Sequence, residues 1–120
     1  MILPNAIPWA AGLFEGEGWI SIRKQSHNNG NAVRLGIQMT DLDVLQKFVA
    51  AIGIAKTPYE RKRQPNRKPI WCLEVNRRED VIRVLTQFMP YFGTRRREKA
   101  IEAMDQLNKY KFYYRGERGW

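Results

Sequence analysis

The chain has 120 residues, 43% of them hydrophobic and 28% charged, a size and composition that fit one domain burying about two-thirds of its unfolded surface. Its formal charge of +9 and pI near 10.1 point to nucleic acid as partner and, less often, to an anionic membrane surface. The single cysteine, Cys72, excludes an internal disulfide and a cysteine-built zinc cluster; no run approaches the roughly 18 apolar residues of a membrane span, and the start "MILPNAIP" lacks the basic segment and cleavage site of a signal peptide.

Asn5 is placed to cap a helix whose first turn accepts Pro8 and which runs to about Glu17, where Gly18 ends it. The following residues alternate: Ile20 and Ile22 are apolar, whereas Ser21, Arg23 and Gln25 are polar. That pattern predicts a strand with one buried face and one wet, basic face. "SHNNGN", with His27, is a turn cluster. The return stretch alternates again, with Val33, Leu35, Ile37 and Met39 inward and Arg34, Gly36, Gln38 and Thr40 outward. Asp41 is placed to cap a second helix that carries Leu42, Leu45, Phe48, Val49 and Ile52 and ends at Gly53. A second hairpin follows, with a first strand near residues 55–63, a turn at "PNRKP" and a return strand "IWCLEVN" that points Trp71, Leu73 and Val75 to one face. "REDVIRVLTQFM" reads as a third helix stopped near Pro90, and a last helix runs from about Arg95 to Leu107. No linker divides this single domain of residues 1–120, in which about 110–120 read as a basic, aromatic tail.

The expected fold class is α+β: two hairpins joined by helices, their strands in an antiparallel or mixed sheet covered by helices on its apolar face. The wet face would carry Ser21, Arg23, Gln25, Arg34, Gln38, Arg61 and Arg63, with His27 in the turn beside them. A twisted ribbon dressed in Arg and Gln suits the major groove, where Arg reads guanine and Gln reads adenine through paired hydrogen bonds. The run Arg95-Arg96-Arg97 is expected to hold phosphate.

The stretch Trp9 to Gly18, "WAAGLFEGEG", breaks local rules. Gly12 and Gly16 each cost about 1 kcal/mol in a helix relative to alanine. Glu15 and Glu17 crowd the C-terminal end, where the helix dipole disfavours anions by roughly 0.3–1 kcal/mol. Glycines four apart share one helix face. With Ala11 and Trp9 nearby, that face is flat enough for a second backbone to approach, and the expected partner, meeting Trp9, Gly12, Leu13 and Gly16, is the same helix of a second copy across a two-fold axis. The axis gathers both Glu17 side chains at one edge. A divalent cation relieves their repulsion, and oxygen ligands suit Mg2+ or Mn2+.

Ala10 to Gly18, "AAGLFEGEG", resembles the motif of the LAGLIDADG homing endonucleases, and the likeness extends over the αββαββα element order to nearly the whole chain. The resemblance implies a curved antiparallel sheet with its basic side toward DNA. It also implies a single-motif homodimer that makes metal-dependent double-strand breaks in a long, pseudo-palindromic site, with its host intron or free-standing gene left open. Glu17 falls on the metal-ligating acid of the motif, and Gly16 on the residue whose carbonyl precedes it. Asp41 falls where relatives place a polar group that orders water, and Arg95 or Arg96 where they place a basic residue near the reacting phosphate. Since arginine cannot take up a proton, it would stabilise charge there. The motif's first leucine is Ala10 here, and both of its aspartates are glutamates. The resemblance also covers cleavage-inactive DNA-binding regulators and RNA maturases; an intact Glu17 favours the nuclease. The implied setting is an intracellular, reducing compartment, whether bacterial or phage cytoplasm or an organelle, with double-stranded DNA as partner and no membrane.

Overall fold

The computed structural model describes residues 5–23, 33–62 and 65–109. Helix α1 (Ala6–Glu17) leads directly into strand β1 (Gly18–Ile22), which pairs antiparallel with β2 (Val33–Met39). Helix α2 (Leu42–Ile52) connects to a short β3 (Tyr59–Glu60) and to β4 (Trp71–Val75); α3 (Arg78–Phe88), a 3-10 turn at Met89–Tyr91 and α4 (Thr94–Lys109) complete the chain. The sheet order is β1-β2-β4-β3, antiparallel throughout. Alternation along the strands sends Ile20, Leu35 and Val75 of one row, and Ile37 and Leu73 of another, to the same inner face, where all five are buried.

Helices cover that face with an aromatic cluster. The Phe14 ring lies 5.7 Å from that of Phe88 and 6.0 Å from that of Phe92, and Phe48 joins Phe88 at 6.1 Å. Each buried ring stabilises the core by about 1.5–3 kcal/mol over leaving it in water. Phe14 also explains Gly18: a side-chain carbon at Gly18 would run into the Phe14 ring, so the strand can leave the helix at that point only without one.

Three arginines are spent on the C-terminal ends of helices, where carbonyls lack intrahelical donors. Arg83 donates to the Ile52 carbonyl at 3.1 Å and the Gly53 carbonyl at 2.9 Å, closing α2, whose Gly53 adopts a left-handed φ of 71°. Arg78 reaches the Leu107 carbonyl of α4 at 3.4 Å, and Arg96 the Glu15 carbonyl of α1 at 2.9 Å.

Four sequence expectations need correction. Asn5 and Asp41 occupy the N-cap positions of α1 and α2, but neither side chain caps a backbone N–H; Asp41 closes its helix through its own carbonyl, 3.1 Å from the Val44 nitrogen. The strand expected over residues 55–63 contracts to Tyr59–Glu60, because this edge segment presents no apolar row to bury. Gly36, expected on the wet face among exposed residues, is buried there under an aromatic ring. The residues of the tail, 110–120, lie outside the described part of the chain.

Candidate functional site

The outer face of the sheet is built in rows across the strands. Trp19, Gly36 and Glu74 form one row, Ser21 and Arg34 a second, and Gln38, Cys72 and Tyr59 a third. Arg34, Gln38 and Arg61 are exposed, as is Arg23 just past β1. The sequence expectation for Ser21, Arg34 and Gln38 therefore agrees with the register, and Arg61 joins them directly. Its Nη1 donates to Gln38 Oε1 at 3.3 Å, and the Cys72 thiol donates to the same oxygen at 3.4 Å. Because the guanidinium can only donate, it fixes which end of the amide turns toward it. With its oxygen so occupied, Gln38 keeps the Nε2 hydrogens as its remaining hydrogen-bonding groups, and donors suit the O6 and N7 acceptors of guanine better than the mixed edge of adenine.

Two features of this face went unread in the sequence. Trp19 lies across Gly36, where any side-chain carbon would fall inside the indole, so an aromatic plane 36% exposed sits within the basic surface. Tyr59 donates to Glu74 Oε2 at 3.4 Å. Loss of water around its hydroxyl, then the Glu74 carboxylate and the Cys72 thiol, raise its pKa above the ordinary value, although the residue as a whole is 48% exposed. Tyr59 accordingly stays protonated and holds Glu74 in place. The missing signal was register: only the pairing of β1 with β2, β2 with β4 and β4 with β3 shows that these residues meet. Gln25, His27 and Arg63 lie outside the described residues.

The second part of the site is the C-terminal end of α1. Its two carboxylates have different surroundings. Glu15 Oε1 accepts the Gly93 N–H at 2.9 Å, and Glu15 Oε2 stands 3.7 Å from Arg96 Nε. Glu15 is thereby matched to the positive start of α4. Glu17 is exposed, and no hydrogen bond or ion pair joins its carboxylate to another described residue. Antiparallel pairing of Gly18 with Ile37 brings the end of β2, and with it Asp41, to the same end of the sheet. Arg95 and Arg97 are exposed at the start of α4, and Arg95, Arg96 and Lys99 line an open cleft of about 560 Å³ with Gly18, Trp19, Ile20, Glu98 and Glu102. Arg96 differs from its neighbours, its side chain only 13% exposed.

Glu17 and the carbonyl of Gly16 are hard oxygen donors of the kind magnesium takes. Among the described residues, no three acidic, His or Cys side chains of one protomer converge into a metal-holding group. The residues fit half a site. On the outer surface of the same helix, Gly12 and Gly16 are exposed, and a side-chain carbon added at either would meet nothing within 4 Å among the described residues. Leu13 beside them is half-buried against the core, while Trp9 at the margin carries the Lys47 ammonium 4.6 Å above its ring.

A family model described as LAGLIDADG-like domain matches residues 9–89. No curated protein matches the chain. Among solved structures, the homing endonuclease I-CvuI in complex with the I-CreI target aligns with a TM-score of 0.58 at 20% identity, over 88% of this chain and 65% of its own. The homing endonuclease I-TnaI aligns at 0.56 and 19% identity, over 98% of this chain and 78% of its own. The archaeal intron-encoded I-Vdi141I, complexed with DNA, aligns at 0.58 and 17%, over 92% and 82%. At these identities the likeness is one of fold: an α+β arrangement with an open antiparallel sheet. Among the described residues, no helix is long and apolar enough to cross a membrane.

Proposed function

We propose a function from one premise: the chain belongs to the LAGLIDADG-like domain family. It is a sequence-specific, divalent-metal-dependent endonuclease of double-stranded DNA, active as a homodimer through α1. The observation that carries this reading is the division of labour between two neighbouring glutamates. The fold neutralises Glu15 with Gly93 and Arg96 and leaves Glu17 exposed at the negative end of the same helix. A carboxylate so placed, which no described residue engages, gains from a cation, and the open Gly12–Gly16 face beside it is where a second copy would bring a second Glu17.

In this reading Glu17 and the Gly16 carbonyl of each protomer hold Mg2+ or Mn2+. Such an ion supplies an activated water and neutralises charge on the phosphate and the departing oxygen. Asp41 orients solvent toward the scissile phosphate, and Arg95 stabilises the charge that develops there. Arg23, Ser21, Arg34, Gln38 and Arg61 read base edges from the sheet, and Arg97 holds backbone phosphate. Incubating the purified protein with a library of randomised duplexes and Mg2+, then sequencing the cut ends, tests the proposal. The expected product is a set of double-strand breaks at one site with mirrored half-sites; site-selective retention of DNA without any cut ends would contradict it.

A further inference from the structure

The geometry points to Arg96 as a positioning residue for the metal site rather than a DNA contact, an inference that rests on the proposed role of Glu17. The last turn of α1 is poorly determined by its own chemistry. Glu17 stands between two glycines, Gly16 and Gly18, and glycine leaves the backbone more freedom than any other residue. As one of the last carbonyls of a helix that ends at Glu17, Glu15 O lies where no intrahelical donor follows. The fold provides three ties from outside. Arg96 Nη2 donates to the Glu15 carbonyl at 2.9 Å, Arg96 Nε stands 3.7 Å from Glu15 Oε2, and the guanidinium carbon sits 5.4 Å from the centre of the Phe14 ring. Gly93, just before α4, adds a fourth by donating its N–H to Glu15 Oε1 at 2.9 Å.

The start of α4 and the end of α1 are therefore latched reciprocally: a carboxylate of α1 meets the positive end of α4, and an arginine of α4 meets the negative end of α1. The planar fork of arginine matters here, because it engages a carbonyl and a carboxylate together, which an ammonium cannot do in the same geometry. Fixing the Glu15 carbonyl fixes the peptide plane shared with Gly16, and so narrows the directions open to the Gly16 carbonyl and the Glu17 side chain that follow. With Nη2 committed to the Glu15 carbonyl and the side chain 13% exposed, Arg96 is turned toward α1 although it also lines the cleft beside Arg95 and Lys99, whose side chains are exposed.

The test is a Tb3+ luminescence titration, excited through tryptophan, of the protein bound to a duplex carrying its selected site, alongside DNA affinity in EDTA at several salt concentrations. Loss of a group that orients metal ligands weakens metal binding by about 10–100-fold. Arg96→Ala is expected to raise the Tb3+ half-saturation about 10-fold, with DNA affinity in EDTA and its salt slope unchanged. Arg96→Lys should recover melting temperature more than Tb3+ affinity. Should Arg96→Ala fail to fold, Glu15→Gln keeps the backbone acceptor, removes only the charge, and should shift the half-saturation in the same direction by less. An unmoved half-saturation, with DNA affinity lowered and the salt slope flattened by about one unit, would overturn the latch and make Arg96 a phosphate contact. Glu17→Gln separates the two claims. Tb3+ binding that survives it removes the assignment of Glu17 and the latch's role together, whereas binding lost in Glu17→Gln but unmoved in Arg96→Ala overturns the latch alone.

Discussion

Replacing Gly12 by leucine should make the protomer more stable and the assembly weaker. A side-chain carbon at Gly12 meets nothing within 4 Å among the described residues, so the protomer bears no steric cost. Leucine sits near the top of the helix scale and glycine near the bottom, so the exchange returns most of about 1 kcal/mol. For a 120-residue chain, whose unfolding entropy is about 2.1 cal/mol/K per residue, that raises the melting temperature by about 3–4 °C. Gly16→Leu should do the same by less, since Gly16 lies in the last turn. In the assembly, the new side chain occupies the space of the partner's backbone and separates two helices whose attraction depends on close contact. Thermal melts at dilutions where the midpoint no longer depends on concentration report the protomer; sedimentation velocity at higher concentration reports the dimer. A Gly12→Leu protein that melts below wild type at high dilution, or that sediments as a dimer with wild-type affinity, would refute the reasoning.

Gln38→Ala should cost about 1–3 kcal/mol of binding at one position of each half-site and relax its base preference, and that position should favour guanine over adenine because Arg61 occupies the amide oxygen. Arg97→Ala should weaken all sequences alike and flatten the salt dependence by roughly one unit of slope; fluorescence-anisotropy titrations over salt and half-site variants measure both. Gly36→Ala places a methyl where the Trp19 indole lies, which should destabilise the fold by about 1–3 kcal/mol, read by urea unfolding, and shift tryptophan emission to the red as the ring lifts into water.

Local rules were enough where a single element decided its own shape. The alternation through Ile20 and Ile22 and through Val33 to Met39 placed the first hairpin, and "LDVLQKFVAAIG" placed α2 to the residue, with Gly53 as its left-handed stop. They failed where a partner decided. Gly36 looks like an ordinary outward position until the register sets Trp19 over it. Cys72, alternating against Trp71 and Leu73, is buried on the outer face by the Gln38 and Tyr59 row beside it. Glu15 looks as misplaced as Glu17 until Gly93 and Arg96, roughly eighty residues away, close on it. The charge of +9 points to a nucleic-acid partner without saying which cations face it. Arg78, Arg83 and Arg96 are instead committed to helix ends, and no property of their own segments distinguishes them from Arg95 or Arg97.

The central claim is that Glu17 serves cleavage and not folding or DNA binding. It is tested most directly by comparing wild type with Glu17→Gln on one selected duplex, with binding measured in Ca2+ and double-strand cleavage in Mg2+. The substitution removes a charge from an exposed side chain that no described residue engages. Fold and affinity should therefore stay within a few-fold of wild type, while the linear cleavage product falls below detection. Cleavage by Glu17→Gln at the wild-type rate would contradict the account.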